Sequence, residues 1–339
     1  MNAPMRHVKT LILTVLAAGM AATAVYAQKR KDRVVFKDKR AISGQVLKET
    51  WKSVELDRDD DGVADKVYKS DEVDYVKYGT QPRYMLEGIL LRRQPRKLIV
   101  KLARAYQDDT TPKRVLQHAY YEVAEACASL ARTDVRELPK AVEAYEKLFR
   151  DIPDTWYAVS GRIELGNLLV ELGKGDEAIR QFDVLATGKF GPEIARLGKL
   201  RVARAELALK RFGRAERLLS ELATSTRGTH PELSQEVKLL ASRSMVGQKK
   251  FDEAYRSINA VLAEKPSKKI LGMAYVVLGD LFAERGRPRT ALTAYLKVPL
   301  MYPETDSAER SHACKQATRI LEKLGRTDEA KELRQQLQP

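Results

Sequence analysis

The chain has 339 residues, of which 44% are hydrophobic, 7% aromatic and 32% charged, and its formal net charge is +15. Few aromatic and many charged residues suit helices with Ala/Leu faces and salt-bridged surfaces better than they suit a large β-sandwich. The positive charge favours anionic partners, although the Lys and Arg residues are interspersed with Asp and Glu rather than clustered.

Residues 1–27 have the layout of a secretory signal peptide. Two basic residues precede an apolar run from Leu11 to Val25, and the small residues Val25 and Ala27 stand three and one positions before a cut ahead of Gln28. The alternative is an uncleaved membrane anchor, but the run is Ala-rich and about as short as a spanning helix could be (about 17–25 residues), which favours cleavage. Cleavage predicts export to the periplasm or cell envelope, with no transmembrane span in the mature chain.

Residues 28–80 predict a small β module. Five short segments rich in β-branched and aromatic residues are separated by turn residues, namely 33–36, 41–47, 53–56, 66–68 and 73–78. Five strands in so short a stretch indicate an SH3-like or Sm-like barrel. Such a barrel is marginally stable alone, so we expect it to dock on the first helices.

An acidic loop, DRDDDGVAD at 57–65, joins the third and fourth predicted strands. It resembles the D-x-D-x-D-G-x-x-D calcium loops of dockerins and thrombospondin type 3 repeats, in which alternate carboxylates converge on one cation and Gly62 permits the sharp turn. The candidate calcium ligands are Asp57, Asp59, Asp61 and Asp65. An EF-hand would need Glu at the twelfth position, where this chain has Tyr68. The alternative is a solvated hairpin tip without an ion, and no other cofactor is predicted.

Beyond residue 81 the sequence becomes periodic. In six blocks an Ala recurs every 37–39 residues, beginning with Ala141, and a small residue often stands twelve positions earlier. Antiparallel helices approach closely where neither side chain extends beyond a methyl. The predicted packing points are Gly166, Ala178, Ala203, Ala215, Ala254, Gly279, Ala291 and Ala330. Prolines are predicted to end the helical units at Pro153, Pro192, Pro231, Pro266 and Pro303.

This pattern resembles the tetratricopeptide repeat, whose consensus has an aromatic residue, Leu-Gly, an aromatic, Ala, an aromatic and a closing Pro. The fullest match is Tyr275, Leu278-Gly279, Phe282, Ala291, Tyr295 and Pro303. The period exceeds the family's 34 residues, so longer connections are expected; HEAT-like repeats are the alternative. The resemblance implies a mainly α fold, with a degenerate helical pair over 81–112 and an α-solenoid of about six repeats of antiparallel helix pairs over 113–339.

The resemblance also implies a ligand surface, because in similar proteins the first helix of each repeat lines a concave groove. The groove candidates are Asn167, Arg201, Arg204, Arg243 and Arg319. Arginine binds carboxylates bidentately, so the predicted ligand is an acidic peptide or a C-terminal carboxylate. The alternative is a groove whose Arg residues pair internally, with Glu164, Glu206 or Glu236.

Catalytic motifs are absent from the sequence. His118, His230 and His312 show no zinc-site spacing, and there is no nucleophile elbow, phosphate loop or dinucleotide fingerprint. The sequence therefore predicts a non-catalytic scaffold or adaptor of the cell envelope that binds a protein or peptide. The alternative is a binder of an anionic polymer. Nucleic acid is not expected as a partner, because the chain has an export signal and lacks aromatic residues interleaved with the basic ones.

Overall fold

A computed structural model describes residues 31–335, so the predicted signal segment lies outside the described residues. The contacts between residues divide the chain into two compact units. Within the described part, the first unit comprises 31–126 and 147–158, and the second comprises 127–146 and 159–335.

The first unit begins with a five-stranded antiparallel sheet. Its strands are β1 Asp32–Phe36, β2 Ala41–Glu49, β3 Ser53–Asp57, β4 Lys66–Lys69 and β5 Val73–Lys77. The order is β4-β3-β2-β1-β5, so the last strand returns to pair with the first, with Val34 opposite Val76. Alternate residues such as Val34, Val54 and Leu56 are buried because successive side chains point to opposite faces. The predicted small β unit is confirmed.

A bulge in β2 reverses the alternation of buried and exposed residues at the end of that strand. The register against β3 shifts between Val46 and Lys48. Val46 is buried in the regular alternation, but after the shift Glu49 instead of Lys48 turns to the buried face. The extra residue of a β-bulge changes the direction of the side chains that follow it. The bulge thus places a carboxylate inside the first unit.

Helices complete the first unit. They are α1 Arg83–Ile89, α2 Pro95–Leu102 and a 3₁₀ segment Ala103–Gln107, followed by α3 Lys113–Thr133 and, after a 3₁₀ turn, α4 Leu138–Asp151. The boundary between the units passes through α3 and α4, whose segments 127–133 and 138–146 belong to the second unit.

The second unit continues as a solenoid of helix pairs. Its remaining helices are α5 Ala158–Glu171, α6 Gly175–Ala186, α7 Pro192–Ala208, α8 Phe212–Thr226, α9 Pro231–Gly247, α10 Phe251–Ala263, α11 Lys268–Glu284, α12 Pro288–Met301, α13 Ser307–Lys323 and α14 Thr327–Gln335. Consecutive helices pack on one another, and α7, α9, α11 and α13 are also neighbours across pairs. Leu, Ile, Val and Ala side chains from these helices form the core. The predicted α-solenoid is confirmed.

The same turn closes the first helix of five successive pairs. A residue with positive φ follows each first helix, at Gly173, Lys210, Lys249, Gly286 and Gly325. The next residue donates its N–H to a carbonyl five positions back, as Lys250 does to Met245 at 2.8 Å. This is a Schellman cap, which satisfies carbonyls left open at a helix end and favours glycine at the left-handed position. Two of the five caps carry lysine there instead.

The prolines act differently from the prediction at two positions. Pro192 and Pro231 do not end a unit but stand in the first turn of α7 and α9. The first helical position suits proline because its missing N–H would have no partner inside the helix. Pro153, Pro266 and Pro303 follow the ends of α4, α10 and α12, as predicted.

Candidate functional site

The predicted groove residues lie on the first helices of the pairs in the second unit. We call the surface formed by α5, α7, α9, α11 and α13 the first-helix face. Asn167 lies on α5, Arg201 and Arg204 on α7, Arg243 on α9 and Arg319 on α13. The first four are half-buried, whereas Arg319 is exposed.

Close packing of each pair positions this face. A Cβ atom at Gly166 or Gly279 would collide with the ring of Phe182 or Tyr295, so only glycine allows the observed approach. The structure buries all eight predicted packing points, which are Gly166, Ala178, Ala203, Ala215, Ala254, Gly279, Ala291 and Ala330. The residue after the packing point then faces outward, which explains the direction of Asn167 and Arg204.

Arg243 is held by two carboxylates rather than left open. Its Nη1 and Nη2 donate to Glu309 Oε1 and Oε2 at 2.9 and 2.6 Å, and its Nε lies 3.4 Å from Asp280 Oδ2. The side chain of Glu309 is only 8% exposed. Burial alone would raise the pKa of Glu309, but the charge and hydrogen bonds of Arg243 outweigh it and lower that pKa to about 2.

Asp280 extends this cluster to two further side chains. Its Oδ1 accepts a hydrogen bond from Tyr295 Oη at 2.8 Å and lies 2.7 Å from His312 Nε2. Burial and then the Asp280 charge raise the pKa of Tyr295, so the phenol stays a donor. The cluster therefore connects α9, α11, α12 and α13 through ion pairs and hydrogen bonds.

Arg204 is also paired, in the way that the internal-pairing alternative describes. Its Nη2 donates to Glu236 Oε1 at 2.6 Å and lies 3.5 Å from Asp306 Oδ2. The other two carboxylates of that alternative have different partners: Glu164 pairs with Arg132, and Glu206 with Arg214.

Arg201 differs from its neighbours. Its Nη1 donates to Asn167 Oδ1 at 2.8 Å, its guanidinium lies 5.7 Å from the centre of the Phe182 ring, and its Nε is buried without a hydrogen-bond partner. Within residues 31–335 no carboxylate lies within salt-bridge distance of this guanidinium. Burial and then the nearby Arg204 lower the pKa of Arg201. Arg201 therefore combines partial burial with unused donors.

Sequence reasoning did not predict that Glu309 and Asp280 hold Arg243. Glu309, Asp280 and His312 lie on first helices, but Glu309 meets Arg243 only because the solenoid brings residues two pairs apart together. The repeat register could have placed these side chains on the face, whereas the pairing itself depends on how the helix pairs stack in three dimensions.

The carboxylates of the acidic loop accept hydrogen bonds from the backbone of the same loop. Asp57 is 1% exposed and accepts from the N–H groups of Asp60 and Gly62 at 2.7 and 2.8 Å. Asp61 accepts from Val63 N at 2.8 Å, and Asp65 from Arg58 N at 2.6 Å. Burial would raise the pKa of Asp57, but the backbone N–H groups that donate to Asp57, with Gly62 contributing most, lower that pKa.

The described part of the chain gives the calcium hypothesis no support. Asp59 has an exposed side chain, and residues 31–335 contain no group of three or more His, Cys, Asp or Glu arranged to hold a metal ion. The hypothesis therefore stays a prediction, which calorimetric titration of the full chain with calcium can decide. In the same range of residues, no helix combines the length and the apolar character needed to cross a bilayer.

Comparisons with known proteins identify the fold. The chain matches no known protein-family model and no curated protein sequence. It is similar to the solved structure of a Rap protein complexed with competence and sporulation factor, at 13% identity and a TM-score of 0.50, over 75% of this chain and 74% of that chain. A tetratricopeptide repeat protein from Parabacteroides merdae has 18% identity and a TM-score of 0.46, over 69% and 82%.

A third match is PilW, described as a type IV pilus biogenesis factor, with 16% identity and a TM-score of 0.40 over 67% of this chain and 95% of that one. At such identities the similarity shows the fold alone. The solenoid of consecutive helix pairs, which matches the Rap structure at a TM-score of 0.50, confirms the tetratricopeptide repeat fold that the sequence resembles.

Proposed function

We propose that the protein is a non-catalytic adaptor that binds an acidic segment of a partner protein on its first-helix face. The observation that carries this proposal is the Arg201–Asn167 pair, a half-buried guanidinium with unused donors on the face where Arg204 and Arg243 already hold carboxylates. Arginine presents its donors as a planar fork that matches a carboxylate.

The ion pairs refine which residues take part. A ligand carboxylate at Arg243 would have to displace Glu309, which makes two hydrogen bonds and is buried. A carboxylate at Arg204 would have to displace Glu236. At Arg201 it would displace only the amide oxygen of Asn167, whose Nδ2 donates to Glu164 at 3.4 Å, so no ion pair has to be broken there. The paired arginines help to shape the face, and Arg201 with Asn167 anchors the ligand.

Two further parts of the proposal rest on the sequence. The layout of residues 1–27 supports export and a role in the periplasm or cell envelope. The net charge also fits an anionic polymer as the ligand, but a polymer needs a row of accessible cations, and Arg204 and Arg243 on this face are neutralised. A protein segment is therefore the favoured ligand.

Site-specific photo-crosslinking tests the proposal. A photoreactive residue at Leu197 stands one helical turn before Arg201, and a control photoreactive residue replaces the exposed Arg217 on the second helix α8. We expect discrete, protease-sensitive adducts in the envelope fraction from position 197 only. Arg201→Gln should remove these adducts. Adducts that persist in Arg201→Gln, or that resist protease, would contradict the proposed ligand site.

A further inference from the structure

The first unit has a cavity, partly open to solvent, that the adaptor function does not use. Its volume is about 490 Å³, within the range of sites for small molecules or for one long side chain. Its walls combine the apolar side chains of Met85 and Leu102 with the rings of Tyr75, Trp156 and Tyr157. Glu49 and His118 also line it. All of these residues belong to the first unit.

Three of the lining side chains form a hydrogen-bonded series. Glu49 Oε2 lies 2.9 Å from His118 Nε2, and His118 Nδ1 lies 2.8 Å from Tyr157 Oη. The Tyr157 ring stacks on Tyr121 with its centre 3.8 Å away. The imidazole is thus fixed between a carboxylate and a phenol, and stacking fixes the phenol. This side of the cavity is rigid before any ligand arrives.

Glu49 leaves one carboxylate oxygen without a partner. The residue is 4% exposed, and Oε2 receives hydrogen bonds from Tyr78 Oη at 2.7 Å and Gln117 Nε2 at 3.0 Å in addition to the contact with His118. Oε1 is buried and has no hydrogen-bond partner. A buried carboxylate oxygen without a donor costs free energy. A cation in the cavity beside Glu49 offsets that cost through its charge, without having to reach the oxygen itself.

The charges around the cavity favour a cation. Two other acidic residues of the lining are already neutralised, Asp74 by Lys39 at 2.9 Å and Glu122 by Arg92. Glu49 is hydrogen-bonded to Tyr78, Gln117 and His118, none of which carries a permanent charge. A carboxylate surrounded by aromatic rings is the environment in which ammonium and guanidinium groups bind, because ring faces attract cations. A neutral polyol would contact the rings but would not use the charge of Glu49.

We propose that this cavity binds an organic cation, a primary ammonium or guanidinium on an apolar stem, whose charge lies beside the Glu49 carboxylate and whose stem packs against Tyr75 and Trp156. The β2 bulge is what turns Glu49 inward to serve this role. The same chemistry is found in a small amine and in a Lys or Arg side chain of a peptide. This site is independent of the first-helix face and of the adaptor function.

Matched ligands test the proposal on the full chain by calorimetry. Phenethylamine and 2-phenylethanol have nearly the same shape and differ in charge, so we expect one amine site per chain and at least about tenfold weaker binding of the alcohol. An acetylated Leu-Lys-Leu amide and its norleucine counterpart form the second pair. Tighter binding of the lysine peptide than of the amine identifies a side chain as the natural ligand, and the reverse identifies a small amine.

Variants locate the site. Glu49→Gln keeps the size of the side chain and should weaken amine binding at least about tenfold, since it removes the charge. Tyr75→Ala removes a wall whose ring is 53% exposed and should weaken binding about threefold to tenfold without loss of the fold. Glu55→Gln changes a carboxylate on β3 that pairs with Lys48 at the surface, and it should leave affinity unchanged.

The outcomes that would overturn the proposal are specific. They are equal affinity for amine and alcohol, full amine affinity in Glu49→Gln, preference for a methyl glycoside over the amine, or no heat with amine or peptide at about 10 mM, the weak end of specific binding. If Glu49→Gln loses its native circular dichroism, Tyr75→Ala decides the result, because an unchanged affinity in that variant excludes the cavity.

Discussion

The ion pair between Arg243 and Glu309 makes a prediction about how the second unit is stabilised. Glu309→Gln keeps the shape of the side chain but removes its charge. The pKa of Glu309 falls from an ordinary 4.5 to about 2 in the folded protein. That difference corresponds to roughly 3 kcal/mol of stability at pH 7, because each pKa unit is about 1.4 kcal/mol. This agrees with the about 3–5 kcal/mol typical of breaking a buried pair.

The dependence on pH follows from the sign of the shift. The folded pKa lies below the unfolded one, so the stabilisation is complete above about pH 4.5 and is lost as the pH falls through about 2. Urea unfolding followed by circular dichroism at constant salt should give a cost for Glu309→Gln of roughly 3 kcal/mol at pH 7 and roughly 1 kcal/mol at pH 3.

The control lies on the same helix. Glu322 pairs with Arg334, and its side chain is 39% exposed. Surface pairs contribute at most about 1 kcal/mol, so Glu322→Gln should cost less than that at both pH values. Equal costs for the two variants, or a cost of Glu309→Gln that does not fall between pH 7 and pH 3, would refute the reasoning.

Three further predictions concern packing, reactivity and the helix caps. A Cβ at Gly198 would lie 2.5 Å from the Ala186 backbone nitrogen, so Gly198→Ala should lower the free energy of unfolding by about 1–3 kcal/mol, whereas Gly213→Ala, which meets nothing within 4 Å, should not lower it. Burial raises the pKa of the Cys127 thiol to about 11, so its maleimide labelling at pH 8 should be at least about a hundredfold slower in native protein than in urea, as mass spectrometry can show. Lys249→Gly should raise the midpoint of urea unfolding and the free energy of unfolding by about 0.5–1 kcal/mol, because glycine adopts the left-handed backbone conformation at this position without strain. Unchanged stability in Gly198→Ala or Lys249→Gly, or equal labelling rates for Cys127, would contradict these inferences.

The elements of the fold were predictable because they depend on local patterns. The alternation in Val34 and Phe36 and the recurring Ala178 and Ala215 each reflect which face of a strand or helix is buried. The predicted second strand stopped at residue 47, whereas β2 reaches Glu49, because the bulge breaks the two-residue period on which the prediction depends.

Only part of the candidate site on the first-helix face could be predicted from the sequence. The repeat register placed Arg201, Arg204 and Arg243 on the first helices, but it contains no information on partners from other repeats. Glu309 reaches Arg243 across an intervening helix pair, and that contact is a property of the assembled solenoid. The buried series that includes Glu49 and His118 gave no sequence signal, since its members are separated by about seventy positions and belong to different kinds of structure.

The recurring Schellman caps have a consequence for how the solenoid comes apart. In an array whose repeats contact mainly their neighbours, unfolding can begin at any of the turns that join two helices, here called joints. The lysine caps at Lys210 and Lys249 adopt the backbone conformation that glycine adopts without strain at the other three joints. The joints that open most easily therefore lie inside the array, and we expect limited proteolysis to cut there first. Folded helix pairs would remain on both sides of each cut.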